Sequence, residues 1–142
     1  IDAFGVGTHM GVSADQPFLD LVYKLVRYKN RDICKLSVGK QTLAAPKQIF
    51  RFKDETGACI EDVICHRGEE LPGGEKLLHR VMENGRICRK LPALEEIRRR
   101  FKSQFASLPE IYKQLNAPPC YTVRLSNGLM NKQPKDFMLL PQ

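Results

Sequence analysis

The apolar spacing of this chain changes once, after Leu91, from a period of about two to a period of about 3.6. Upstream, alternating segments read as strands. Downstream, Leu94, Ile97, Phe101, Phe105 and Leu108 recur along one narrow helical stripe. Pro92 fits the first turn of that helix, where a missing N–H costs nothing. Pro109 ends it and opens a shorter helix through Leu115, so the main helix is expected over about residues 92–108. Strands followed by a main helix make the fold class α+β, or mostly β with one packed helix.

Lys47 to Lys53 alternates, with Phe50 and Phe52 on one side and Ile49 and Arg51 on the other. Asp54-Glu55-Thr56-Gly57 supplies a hairpin turn, and Ala58 to His66 returns. Leu19 to Tyr28 reads as a strand, Asn30-Arg31-Asp32 as a turn and Ile33 to Ser37 as a short returning strand. Lys76 to Met82 and Arg86 to Arg89 flank Asn84-Gly85, the strongest short hairpin signal present. Tyr121 to Ser126 is a last strand. Residues 127–142 carry little pattern and read as a tail, with Lys132 to Gln142 poorly ordered or held by other parts of a larger enzyme. At the other end, Ile1-Asp2-Ala3-Phe4 reads as the end of a strand with nothing before it to pair with. Unpaired buried backbone is costly, so a longer polypeptide is expected.

The balance of 42% hydrophobic and 27% charged residues suits a globular protein rather than a disordered one. Apolar runs are too short to cross a bilayer and no signal-peptide pattern is visible, so a cytoplasmic protein without a membrane partner is expected. The cysteines (Cys34, Cys59, Cys65, Cys88 and Cys120) include no C-x-x-C pair, which argues for free thiols and against structural zinc. The formal net charge of +7 suits nucleic acid, an acidic membrane surface or phosphorylated substrates. Within the basic run Arg98-Arg99-Arg100 with Lys102, Arg99 and Arg100 follow Glu95 and Glu96 by four residues. A solvated helix face paired within itself is therefore expected, with no nucleic acid on it. Lys35, Lys40, Lys47 and Arg51 either converge on an anion or face solvent, and the second is expected for most of them. His66 and His79 stand apart from any triad or metal cluster, and His9 is a minor candidate for contact with a bound phosphate.

Gly5-Val6-Gly7-Thr8 is the segment with clear chemical potential. Two glycines allow positive φ and clear the approach of a ligand. Successive backbone N–H groups in such a turn can hold an anion, and Thr8 adds a hydroxyl. The same pattern also occurs in ordinary tight turns.

Taken with its neighbours, that segment resembles a known family. Ile1 to Thr8 is similar to the I-D-A-F-G-V-G-T run of nicotinate phosphoribosyltransferases. Leu21 to Val26 resembles their V-Y-K-L-V strand. Lys35-Leu36-Ser37, Gly39-Lys40, Thr42-Leu43 and Lys47 to Arg51 resemble K-L-S…G-K-x-T-L-P-G-x-K-Q-V-x-R. Asp62-Val63-Ile64, Pro72-Gly73-Gly74, Leu77-Leu78 and Val81-Met82 follow in order. Leu91 to Arg98 resembles L-P-S-L-x-E-x-R, and Leu108-Pro109 and Tyr121 to Ser126 match the L-P and Y-x-V-x-L-S near the family's end. The family's Pro-Gly turn is replaced by Ala44-Ala45, with Pro46 next, which puts the local turn geometry in question.

The resemblance implies an enzyme that joins nicotinate to 5-phosphoribosyl-1-pyrophosphate, coupled to ATP hydrolysis and feeding NAD synthesis. It implies an irregular α/β (TIM-like) barrel with a second domain, a homodimer, and Mg2+ and ATP as cofactors. In that frame residues 1–18 are the end of a barrel strand and its phosphate-binding loop, 19–126 a β-rich C-terminal domain and 127–142 a tail. Gly5, Val6, Gly7 and Thr8 would bind the ribose 5-phosphate, while the base-binding and catalytic groups would lie in the rest of the same polypeptide. This stretch alone would be inactive. The competing expectations are a small basic β-rich module that binds RNA or a protein partner, and a non-catalytic relative with a structural role.

Overall fold

The computed structural model describes Gly5 and residues 11–12, 23–37 and 40–134. The elements run β1 (Arg27–Tyr28), β2 (Arg31–Asp32), β3 (Lys47–Lys53), β4 (Cys59–His66), β5 (Glu75–Lys76), β6 (Met82–Glu83) and β7 (Arg86–Ile87). Helix α1 (Leu94–Ala106), a 3₁₀ turn (Glu110–Lys113), β8 (Val123–Leu125) and α2 (Asn127–Met130) follow. This is an α+β arrangement with one main helix. The barrel strand expected before residue 19 lies outside the described residues, apart from Gly5, Gly11 and Val12. No helix among the described residues is long and apolar enough to cross a membrane.

The centre is a four-stranded sheet in the order β5-β3-β4-β8. β3 and β4 form the expected hairpin, with Phe50 opposite Val63 and Arg51 opposite Asp62. Its turn works because Asp54 Oδ1 accepts from the Thr56 and Ala58 amides, and Gly57 takes φ 85°. Ile60 is skipped by the ladder, since Phe52 pairs with Glu61 and Lys53 with Cys59. β8 lies parallel to β4, placing Leu125 beside Ile64. Phe50, Val63 and Cys65 are buried, and Gly74 lies close against Phe50: a Cβ there would come within 2.9 Å of Phe50 Cβ.

Several expected boundaries move. Of the strand read over Leu19 to Tyr28, only Arg27–Tyr28 is a strand among the described residues. The turn sits one residue earlier than expected, on Lys29 and Asn30 at φ 43° and 62°. Two positive φ values match the right-handed strand twist, and they leave Arg31 and Asp32 to pair. Ile33 to Ser37 is irregular rather than a strand. Asn84-Gly85 does form the expected turn, at φ 48° and 74°, but its arms are only two residues each.

The helix starts at Leu94, with Ala93 as N-cap and Pro92 just outside it. Ala93 has no side-chain oxygen, so only the return half of a capping box forms, from Ala93 N–H to Glu96 Oε2 at 3.3 Å. α1 does not bury its stripe. Leu94, Ile97, Phe101 and Phe105 are all exposed, Leu94 and Phe101 by 73% and 64%. The expectation of a packed helix is corrected here. The described hydrogen bonds joining α1 to the sheet lie at its C-terminal end, where Cys59 N–H donates to Ser107 O at 2.8 Å.

The segment read as a patternless tail takes defined structure among its described residues, 127–134. Ser126 caps α2, its Oγ accepting from Leu129 N–H at 3.0 Å and donating to Glu69 Oε1 at 2.8 Å. Leu129 is fully buried. Gln133 Oε1 accepts from Ala44 N–H at 2.9 Å, tying this end of the chain to the turn before β3.

Candidate functional site

Of the glycine-loop residues, Gly5 alone is described. It is exposed, with open space where a Cβ would stand. Val6, Gly7 and Thr8, with His9, lie outside the described residues.

The four basic residues of the middle segment separate into two kinds. Lys35 and Lys40 face solvent as expected. Lys47 and Arg51 do not, and both are held by the protein itself. Lys47 Nζ donates to Leu43 O and Ala45 O, each at 2.6 Å, and burial lowers its pKa. These bonds brace the turn at Ala45, which is buried at φ 70°. Arg51 meets Asp62 in a two-pronged pair, Nε to Oδ1 and NH2 to Oδ2, each at 2.8 Å. Tyr121 Oη donates to the same Oδ1 at 3.4 Å. The hydrogen bond that Arg51 donates to Asp62 raises the Arg51 pKa. Burial, followed by the Asp62 charge, pushes the Tyr121 phenol up to about 12.

His66 Nδ1 accepts from Gly68 N–H at 3.3 Å, while its Nε2 is buried without a partner. All five cysteines are unbridged. Burial raises the Cys65 thiol pKa, with the Glu69 charge adding to it, as suits an inert packed thiol. Among the described residues no three His, Cys, Asp or Glu side chains gather where a cation could be held. They offer Mg2+ no ligand set.

The intrahelical pairing expected for α1 does not form. No described ion pair within 4.0 Å engages Arg98, Arg99, Arg100 or Lys102. The polar face of α1 instead lines two clefts. One cleft of about 530 Å³ lies between Glu96, Arg99, Arg100 and Ser103 of the helix and the Arg89–Pro92 segment. A second, of about 400 Å³, is lined by Lys76, His79 and Arg51 from the sheet side and by Arg100 and Gln104 from the helix. Arg89 and Arg100 line both. The sequence concealed this constellation because its members are scattered from residue 51 to residue 104; the basic run marked only one wall.

A family model described as the nicotinate phosphoribosyltransferase C-terminal domain matches residues 74–133. The chain is 41% identical over 134 residues, 93% of its length, to nicotinate phosphoribosyltransferase pncB2 of Mycobacterium tuberculosis. It is 31% identical over 153 aligned positions, covering 91% of it, to the nicotinate phosphoribosyltransferase of Mus musculus. It spans 28% of the length of each of these relatives. The crystal structure of human nicotinic acid phosphoribosyltransferase superposes with a TM-score of 0.69 at 25% identity, over 78% of this chain and 25% of that one.

Fold and matches together define a C-terminal domain of the phosphoribosyltransferase class. Its sheet and helix correspond to about a quarter of a much longer relative. The chain belongs to the nicotinate phosphoribosyltransferase family. The alternative of a free-standing RNA- or protein-binding module finds no support in these matches.

Proposed function

We propose that this chain works as the C-terminal part of an enzyme that joins nicotinate to 5-phosphoribosyl-1-pyrophosphate, giving nicotinate mononucleotide and pyrophosphate for NAD synthesis. The observation that carries this is 41% identity sustained over 93% of the chain. Coupling to ATP hydrolysis, a TIM-like barrel, a homodimer and a cytoplasmic setting complete the reading. Mg2+ and ATP would be held by the rest of the polypeptide. ATP would supply the driving force, and Mg2+ would neutralise the donor's pyrophosphate as it leaves.

Within this chain, Gly5, Val6, Gly7 and Thr8 take the ribose 5-phosphate. That phosphate is remote from the carbon that reacts. Gripping it with fixed backbone donors orients the ribose and turns distant binding energy toward the transition state, where positive charge develops on the anomeric carbon. Bare amides flanked by glycines suit the task because no Cβ holds the phosphate off.

In the full-length enzyme, Gly7→Val should raise KM for the phosphoribosyl donor about tenfold or more, while KM for nicotinate stays within about twofold. Steady-state kinetics with each substrate varied checks this. Unchanged donor kinetics would take the loop out of the phosphate site. Failure of the purified wild-type polypeptide to form the mononucleotide would remove the activity itself.

A further inference from the structure

We propose that the paired clefts between α1 and the β5–β7 region form a binding site for an oligophosphate anion, separate from the glycine loop. The case starts from how the side chains of the helix divide. Glu96, Arg99, Arg100 and Ser103 share one face and line the first cleft, opposite Leu94, Ile97, Phe101 and Phe105, and both faces are exposed.

The clefts gather more cations than anions. Glu75 is paired with Lys53 at 2.8 Å, and Glu96, held by the Ala93 amide, is the one carboxylate lining the first cleft against Arg89, Lys90, Arg99 and Arg100. Arg51 and Lys76 are likewise engaged, with Asp62 and Glu70. Arg89, Arg99 and Arg100 have no carboxylate partner among the described residues. Clustered guanidinium groups repel one another, and an anion between them removes that cost. The guanidinium fork is matched to phosphate oxygens, and several such forks favour several phosphate groups in a row.

Size and lining agree. Volumes of about 530 and 400 Å³ fall among those of small-ligand pockets. Arg89 and Arg100 line both clefts, so an anion in either meets the same two guanidinium groups. No Phe, Tyr or Trp of the described residues lines either, so they offer no aromatic platform for a nucleobase and favour the phosphate chain.

The test is calorimetric titration of the full-length polypeptide with inorganic tripolyphosphate, comparing wild type with Arg89→Gln/Arg100→Gln, Arg99→Gln and Arg98→Gln. The double variant should lose one class of binding site, weakened about tenfold or more. Arg99→Gln should weaken it less. Arg98→Gln should leave it unchanged, since Arg98 lines neither cleft. Binding at this site should also fall as ionic strength rises. Gly7→Val should retain it, which separates this site from the glycine loop. These arginines are exposed, so the variants should keep the wild-type thermal midpoint. Identical isotherms for wild type and the double variant would overturn the proposal. So would an equal loss from Arg98→Gln, which would mean diffuse charge rather than a site.

Discussion

Asp62 sits where three segments meet: its carboxylate takes both prongs of Arg51 from β3 and the hydroxyl of Tyr121 from the approach to β8. Tyr112 packs its ring edge on Tyr121, with centroids 5.4 Å apart. The phenol is therefore enclosed beside a negative charge, and its proton is harder to remove than in the unfolded chain. A folded pKa raised from 10.0 to about 12 contributes stability that is whole below about pH 10 and is lost as pH rises through about 12. Ultraviolet difference titration should resolve a late phenolate forming near pH 12. Tyr121→Phe should abolish that step and flatten the alkaline loss of stability. Of these partners, the sequence displayed only the strand alternation that put Arg51 on one side of β3. The pairing register that brings it to Asp62 depends on contacts 11 residues apart, and Tyr121 lies 59 residues from Asp62. Ala45 was more legible: the family motif has Gly at this place, and the backbone takes φ 70°, a region that disfavours a Cβ by about 1–2 kcal/mol. Lys47 braces this turn by donating to the Leu43 and Ala45 carbonyls.

The elements show where local pattern suffices and where it does not. The β3–β4 hairpin was readable to within one residue because alternation, an Asp-initiated turn and a glycine at positive φ all agree. Two-residue strands such as β1, β2, β6 and β7 leave too little periodicity to set their ends. For α1, spacing identified the stripe, but periodicity tells which residues share a face and says nothing of which way the face points. Nor does it reveal that Arg89, before the helix, and Arg100, within it, line the same two clefts. The start of α1 offers a direct check. Ala93 stands where the family motif carries Ser, and its cap lacks the side-chain acceptor. Ala93→Ser should complete the capping box and stabilise the fold by about 1 kcal/mol. Chemical denaturation at neutral pH measures this as a higher midpoint at unchanged slope.

At the scale of the whole molecule, the buried apolar set among the described residues is small: Phe50, Val63, Cys59, Cys65 and Leu129, with Ala44 and Ala45. Leu129 comes from the segment that sequence pattern dismissed as a tail, yet it is fully buried beside β4, and Gln133 latches the same segment to Ala44. Four helical residues are too few to show a period, which is why this anchor was not legible. Leu129→Ala should cost about 2–5 kcal/mol through lost transfer energy and the cavity left behind. The loss should appear in global unfolding rather than as fraying of the C-terminal end. Equilibrium denaturation with hydrogen exchange on β4 amides distinguishes the two.

The parallel seat of β8 against β4 also dictates an order of events during translation. Hairpin β3–β4 can close as soon as His66 leaves the ribosome, but one flank of β4 stays unpaired until Leu125 emerges about 60 residues later. At a typical elongation rate of about 5–20 residues per second, that interval lasts seconds. Throughout it, the nascent chain carries an open β edge that chaperones or neighbouring polysomal chains can engage.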